Sequence, residues 1–221
     1  MEQRNLAVKI VDAAISLLRR PGGSGERAQT AARARFDTRK WTPELLKHLE
    51  WRRFEELCAA YFEALGFTAR VLQSGAGGGA DLALSAAGSD SASILVHCKP
   101  WDAYRVGIKP LRELHGAMAA AGVAEGVLVT SGRFTQEAVN FAAKQNIALI
   151  DGASLLEKLA GLVPEQAAAL LKLATQGDFL TPTCPACGIK MASRKSTQGG
   201  RKFWGCVNYP RCKQTFFATS T

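Results

Sequence analysis

Residues 77–99 read GGGADLALSAAGSDSASILVHCK. Two apolar runs, DLALSA from Asp81 and SILVHCK from Ser93, flank a polar turn around Gly88 to Asp90. Runs of this kind, separated by a short turn, read as the two strands of a hairpin. Alternate residues of a strand share a face, so His97 and Lys99 point the same way, and the preceding strand can bring Asp81 beside them. A carboxylate, a second ligand and a lysine at a sheet edge suit metal-dependent phosphodiester hydrolysis. The carboxylate holds Mg²⁺ or Mn²⁺, and the lysine orients or deprotonates the attacking water. Spacing alone equally allows a plainer reading, with Asp81 a turn residue after the glycines and Lys99 a solvated charge.

Outward from this hairpin the pattern alternates. Upstream, TPELLKHLE and WRRFEELCAAYFEALGF form a helical region that starts at Thr42, an N-cap with Pro43 in first position, and ends at Gly66. Phe54, Leu57, Cys58, Tyr61, Phe62 and Leu65 make its apolar face, with Glu55 and Glu56 beside it. A short strand, 67–72, follows. Downstream, the periodicity predicts a helix over 109–121, a strand over 126–130, a helix over 135–145, a strand over 147–150 and a helix over 153–159. The order α-β-β-β-α-β-α-β-α specifies an α/β domain, 41–162, with a mixed central sheet flanked by helices. Residues 163–180, Ala- and Leu-rich over 164–175, read as a helical linker. Cys58 and Cys98 read as small buried hydrophobes, and His48 and His115 as packing or surface residues.

The tail, 181–221, is a different module. Cys184-x2-Cys187 and, eighteen residues later, Cys206-x5-Cys212 supply four thiolates from two knuckles, the set that tetrahedral Zn²⁺ requires. Pro185, Gly188, Gly205 and Pro210 supply the turns. The tail is too short for its own apolar core, so the metal would provide its folding energy. Between and beside the pairs stand the cations Lys190, Arg194, Lys195, Arg201 and Lys202 and the aromatics Phe203, Trp204 and Tyr209. Cations track phosphates and aromatic rings stack on unpaired bases, so these are the candidate DNA-binding residues.

Charge supports that division. The chain carries 28 Lys/Arg against 19 Asp/Glu, a net charge of +9. Residues 181–221 hold seven of those cations and no acid, whereas 55–180 are mildly acidic. This distribution favours a polyanionic partner. Residues 4–20 are amphipathic at helical spacing, and PGGSG at 21–25 opens a basic linker to about residue 40. No apolar run reaches the roughly 18–20 residues that span a bilayer, and the N-terminus has no secretory pattern. A cytoplasmic location and no membrane partner are the expectation, and in that compartment paired cysteines point to metal rather than disulfides.

Two family resemblances sharpen these readings. CPACGIKMASRKSTQGGRKFWGCVNYPRC resembles the C4 zinc ribbon at the C-terminus of bacterial type I DNA topoisomerases. This implies single-stranded or distorted DNA as a ligand, without topoisomerase activity. From about Trp51 to Leu159, WRRFEELCAAYFEALGF, GGGADLAL, ILVHCKPW, VGIKPLRELHGAM, GVLVTSGRFTQEAVNFA and IALIDGASLLEKL resemble, in order, the Mrr-type restriction endonuclease domain of the PD-(D/E)xK nucleases. The resemblance implies a restriction-endonuclease fold, a metal-binding Asp81, a catalytic Lys99 and a helix acid at Glu55, with Glu56 the fallback. It also implies restriction of foreign or modified DNA; double-strand cutting with one active site per chain would favour a homodimer. Two positions depart from the family. Gly77 stands where an Asp is usual, and His97 where Gln or Glu is usual. His97 is therefore either a variant metal ligand or a mark of lost catalysis. A degenerate DNA-binding protein and a structure-specific repair nuclease are the competing readings.

Overall fold

The chain turns into its first described helix at Thr42, whose hydroxyl accepts the Leu45 N–H at 3.1 Å while Pro43 fills the first helical position. The computed structural model describes residues 36–72, 79–89, 91–100, 105–196 and 200–217. The helix expected over 4–20 and the departure at Gly77 lie outside them. Helix α1 (Pro43–His48) stops at Leu49, and α2 (Trp51–Ala64) starts afresh. The helical region that begins at Thr42 is thus two helices. Glu50 makes the break: its backbone is extended and its carboxylate accepts the Arg52 N–H at 3.2 Å. Glutamate is not among the favoured capping residues, so the break has no plain sequence signal.

Strands β1 (Phe67–Val71), β2 (Leu82–Ala86) and β3 (Ile94–Lys99) form an antiparallel meander. Helix α3 (Ile108–Ala121) then crosses to β4 (Glu125–Thr130), and α4 (Gln136–Ala142) to β5 (Ile147–Ile150). Both crossovers produce parallel pairs, giving one mixed sheet in the order β1-β2-β3-β4-β5. Helices α5 (Gly152–Ala160) and α6 (Pro164–Thr175) complete the domain. Strand β3 is central, and Ile94 to Cys98 are all buried, as a strand covered on both faces requires. On one face Val96, Leu84 and Val129 pack with Phe54, Leu57, Leu155 and Leu170 from α2, α5 and α6. On the other, Leu95 and Leu128 pack with Leu111, Leu114 and Ala138 from α3 and α4. Each Val, Leu or Phe among these contributes about 1.5–3 kcal/mol on burial.

The segment 163–180 is more than a linker. Leu170, Ala174 and Phe179 are buried in the first cluster, and Arg53 donates to the Leu173 carbonyl oxygen. The ribbon follows as a second, three-stranded antiparallel sheet of β6 (Ala192–Lys195), β7 (Lys202–Gly205) and β8 (Thr215–Phe217).

The junction of the two modules is built around one carboxylate. The Glu50 side chain is only 2% exposed. It accepts the Thr183 N–H at 3.1 Å, the Thr183 hydroxyl at 3.0 Å and the Lys190 ammonium at 3.0 Å. Trp51 Nε1–H donates to the Thr183 carbonyl oxygen at 2.7 Å. Removing one partner of a buried charge pair costs far more than the pair contributes. Glu50→Ala should therefore destabilise the protein by about 2–4 kcal/mol and open the 176–182 connection to protease. Denaturant melts and limited proteolysis check this, and a cost below about 0.5 kcal/mol would mean the ribbon is only tethered.

Candidate active site

The register of β2 and β3 builds the site. Leu82 pairs with Val96, so one residue further Asp81 stands opposite His97 on the same face. The Asp81 N–H donates to the Val96 carbonyl at 2.7 Å. On its other side the ladder is taken over by a side chain: the Cys98 N–H donates to Asp81 Oδ2 at 2.6 Å. That bond pins the carboxylate at the carboxyl end of the central strand, one residue before Lys99. His97 Nδ1 lies 3.0 Å from the same Oδ2. Asp81 reaches this position because its approach segment lies directly on α3. A Cβ at Gly79 would sit 2.3 Å from the Glu113 carbonyl oxygen, so only glycine fits.

His97 is 3% exposed, yet among the described residues neither ring nitrogen has an aligned hydrogen-bond partner. The 3.0 Å approach of Nδ1 to Asp81 satisfies distance but not direction. Its Nε2 faces Glu113 Oε2 at 3.8 Å. A buried ring with two unmatched nitrogens is expensive, and this one lies beside a fixed carboxylate.

Glu55 enters from α2. Burial first, and then the Asp81 charge, push its carboxyl up to about 8, while Lys99 pulls it down. Glu55, Asp81 and Lys99 are thus electrostatic neighbours. Glu56 is not part of the group, since it pairs with Arg52 and Arg53 at 3.5 Å each on the helix surface. Thr130 pairs with Lys99 in the sheet and spends its hydroxyl on the Lys99 carbonyl and the Gly132 N–H, a structural use. Cys98 and Cys58 are buried side by side, and their mutual hydrogen bond and burial push the Cys98 thiol well up, away from nucleophilic thiolate.

The residues fit a divalent cation. Mg²⁺ or Mn²⁺ bound octahedrally at about 2.1 Å separates neighbouring ligands by about 3 Å, the spacing of Asp81 Oδ2 and His97 Nδ1. Two neighbouring carboxyls, Asp81 and a Glu55 whose proton affinity is raised by burial and by the Asp81 charge, are what a cation would relieve.

That crowding has a measurable sign. Between the ordinary value of 4.5 and about 8 the folded Glu55 binds more proton than the unfolded one, so its contribution to stability is lost as pH rises through that window. Without added divalent cation, Glu55→Gln should stabilise the protein near pH 8 by about 1–2 kcal/mol, a figure reduced for the group's partial exposure, and should not do so near pH 4. Thermal melts at both pH values read this, and equal melts at pH 8 contradict it.

In the ribbon the four sulfur atoms of Cys184, Cys187, Cys206 and Cys212 lie within 4.8 Å of one another. Cys184 and Cys212 are 3.7 Å apart, and Cys187 and Cys206 3.8 Å. These are not disulfide distances. With Zn–S bonds of about 2.3 Å, the edge of a tetrahedron is about 3.8 Å, so the set fits zinc. Burial, and after it the surrounding thiols, push Cys206 up to about 12 against the pull of the Asn208 N–H, and a bound cation would favour its thiolate.

The structure sorts the ribbon's candidate DNA-binding residues. Lys190 is held by Glu50 and by the Thr181 carbonyl, which makes it a clasp between modules. Trp204 packs against the cysteine cluster with Phe216. Phe203 lies on the opposite face of β7, paired with Arg194. That face opens on a groove of about 600 Å³ lined by Arg194, Lys195, Phe203, Tyr209, Lys213 and Gln214. Tyr209 is 66% exposed. Arg201 and Lys202 are exposed at the β6–β7 hairpin. Lys213 and Gln214, just after the last cysteine, were missed because nothing in their spacing marks them. Glu113 was missed because its helix gives no hint that it faces His97.

One mixed five-stranded sheet, covered by helices on both faces, thus carries Asp81 and Lys99 at the carboxyl end of its central strand. The chain belongs to the restriction endonuclease family, whose pattern matches residues 46–159. Residues 181–220 match the topoisomerase DNA binding C4 zinc finger. Among solved structures, the "DNA modification-dependent restriction endonuclease AspBHI" is 20% identical with a TM-score of 0.44, over 72% of this chain and 43% of that one. The "MspJI Restriction Endonuclease in Complex with 27-mer Oligonucleotide" is 16% identical with a TM-score of 0.39, over 78% of this chain and 42% of that one. The chain thus spans less than half the length of either. Among curated proteins none matches it. No helix among the described residues is long and apolar enough to cross a membrane.

Proposed function

We propose that the chain is a divalent-metal-dependent DNA endonuclease that acts in restriction of foreign or modified DNA, with its zinc ribbon as the DNA-engaging module. The observation that carries this reading is the convergence of Asp81, Glu55 and Lys99 at the end of the central strand, beside a buried imidazole that has no aligned partner. Asp81, Glu55 and His97 would hold Mg²⁺ or Mn²⁺. When bound, the cation would neutralise charge on the scissile phosphate and acidify the attacking water. Lys99 orients that water, takes or shares its proton, and offsets charge that develops on phosphorus-bound oxygen. The Cys98 N–H holds the Asp81 carboxylate still through the reaction. The ribbon groove supplies cations for phosphates and the Phe203 and Tyr209 rings for unpaired bases. A homodimer would provide the second site for double-strand cutting.

The full chain, incubated with plasmid, methylated or branched DNA and Mg²⁺ or Mn²⁺, should nick or cut at least one substrate and stop when the cation is chelated. Silence on all three in both cations would sink the catalytic reading. The alternative, a DNA-binding protein that has lost catalysis, draws on His97 itself. The imidazole, with Nδ1 3.0 Å from Asp81 Oδ2, would then fill the place of the cation. In that case His97→Gln should create cleavage that the parent chain lacks.

A further inference from the structure

We propose that Glu113 is a positioning residue that aims His97 at the cation, and that this centre consequently prefers Mn²⁺ to Mg²⁺; the inference rests on the metal-dependent reading above. His97 lies between two carboxylates, with Nδ1 3.0 Å from Asp81 Oδ2 and Nε2 3.8 Å from Glu113 Oε2. The ring is 3% exposed and Glu113 36% exposed, so the outer carboxylate faces water and the inner side of the ring faces the site. Imidazoles that bind metal through one nitrogen commonly present the other N–H to a carboxylate, which fixes the tautomer and makes the ligand more basic. Glu113 occupies that place. A small closure of the 3.8 Å gap would make Nε2–H a donor to Glu113 and leave the Nδ1 lone pair for the cation. That change would satisfy Nε2, and a bound cation would satisfy Nδ1.

The backbone keeps this arrangement in place. Gly79, two residues before Asp81, lies against the Glu113 carbonyl oxygen, so the segment that carries Asp81 and the helix turn that carries Glu113 are in direct contact. A loop that shifts one shifts the other. The donor set also selects the ion. Mg²⁺ demands oxygen and keeps its waters, whereas Mn²⁺ takes the same carboxylates and tolerates an imidazole beside them better.

The test uses the full zinc-loaded chain and reads metal rather than cleavage. Mn²⁺ binding is followed by the loss of the free-ion paramagnetic resonance signal, and Mg²⁺ by competition. Pulsed resonance on the bound Mn²⁺ should show ¹⁴N modulation from one imidazole, and His97→Gln should remove it. Glu113→Gln should weaken Mn²⁺ binding about 10-fold and Glu113→Ala up to about 100-fold, with circular dichroism unchanged and the Mn²⁺ over Mg²⁺ preference reduced. If Mn²⁺ binds without ¹⁴N modulation, or binds the Glu113 variants as tightly as the parent, the inference fails and the nuclease reading stands. If no Mn²⁺ binds at Asp81 at all, tested with Asp81→Asn, both fail.

Discussion

Asp81→Asn and Lys99→Met should each reduce phosphodiester cleavage by at least about 10³-fold while leaving the protein folded. The size follows from what each group would supply. A positioned proton acceptor contributes about 10²–10⁴-fold, and charge stabilisation at the reacting phosphate a comparable factor. The variants are chosen to separate chemistry from architecture. Alanine at position 81 would strand the Cys98 N–H, which now donates to the carboxylate at 2.6 Å. Asparagine keeps an acceptor oxygen there and removes only the charge. Methionine keeps the stem of Lys99 at the strand end and removes only the ammonium. Single-turnover rates on a saturating DNA substrate measure the effect, and melting temperatures monitor the fold. A Lys99→Met chain that cuts at the parent rate would remove the lysine from the mechanism and, with it, the analogy drawn from strand position.

The two variants differ in one further respect. Asp81→Asn should also lower divalent-cation affinity, because it removes a ligand, whereas Lys99→Met should leave that affinity unchanged or slightly improved, because it removes a repelling charge. A common loss of cation binding in both would point to a collapsed site rather than to two separate roles. The pair of readouts therefore distinguishes a metal ligand from a group that acts on water.

What was legible in the sequence divides along physical lines. Strands β2 to β5 could be read because each had its own apolar run, and the helices from α3 onward because each had its own period. Strand β5 and helix α6 run over the expected residues, and Asp81 stands opposite His97 as a period-two hairpin requires. Partnerships between distant elements could not be read. Glu50 closes one helix break, caps α2 and clasps the ribbon, yet in sequence it is one acid between two apolar residues. Lys190 reads as one more cation in a basic tail until its partner, 140 residues away, is visible. Trp204 and Phe203 are neighbours in sequence and therefore face opposite sides of β7, so only one of them can share a binding face with Arg194. Strand parity separates them once the short tail segments are strands. The choice between Glu55 and Glu56 needed the helix's rotational position, which places Glu55 near Asp81 and Lys99 and Glu56 against two arginines.

Cys206→Ser should abolish stoichiometric zinc, unfold the ribbon and leave the nuclease domain standing. Structural zinc contributes an apparent 10–16 kcal/mol or so to modules of this kind. The ribbon has little else. Its buried set is Cys184, Met191 and Cys206, with Trp204 and Phe216 packed against it. A serine hydroxyl is a poor substitute for thiolate, and Cys206 is among the more deeply buried of the four, with the Asn208 N–H already directed at its sulfur at 3.4 Å. The nuclease domain keeps two separate apolar clusters and should stay folded, at lower stability because Thr183 and Lys190 no longer hold Glu50. Metal analysis should fall from about one zinc per chain to almost none. DNA affinity should fall with it, and its dependence on salt should flatten, by about 0.9 in logarithmic slope for each phosphate that the ribbon no longer neutralises. Arg194, Lys195 and Lys213 of the groove are the cations at stake. Full retention of zinc, or an unchanged salt slope in the zinc-free variant, would detach the cysteine cluster from DNA binding and leave the groove without a purpose that this fold explains.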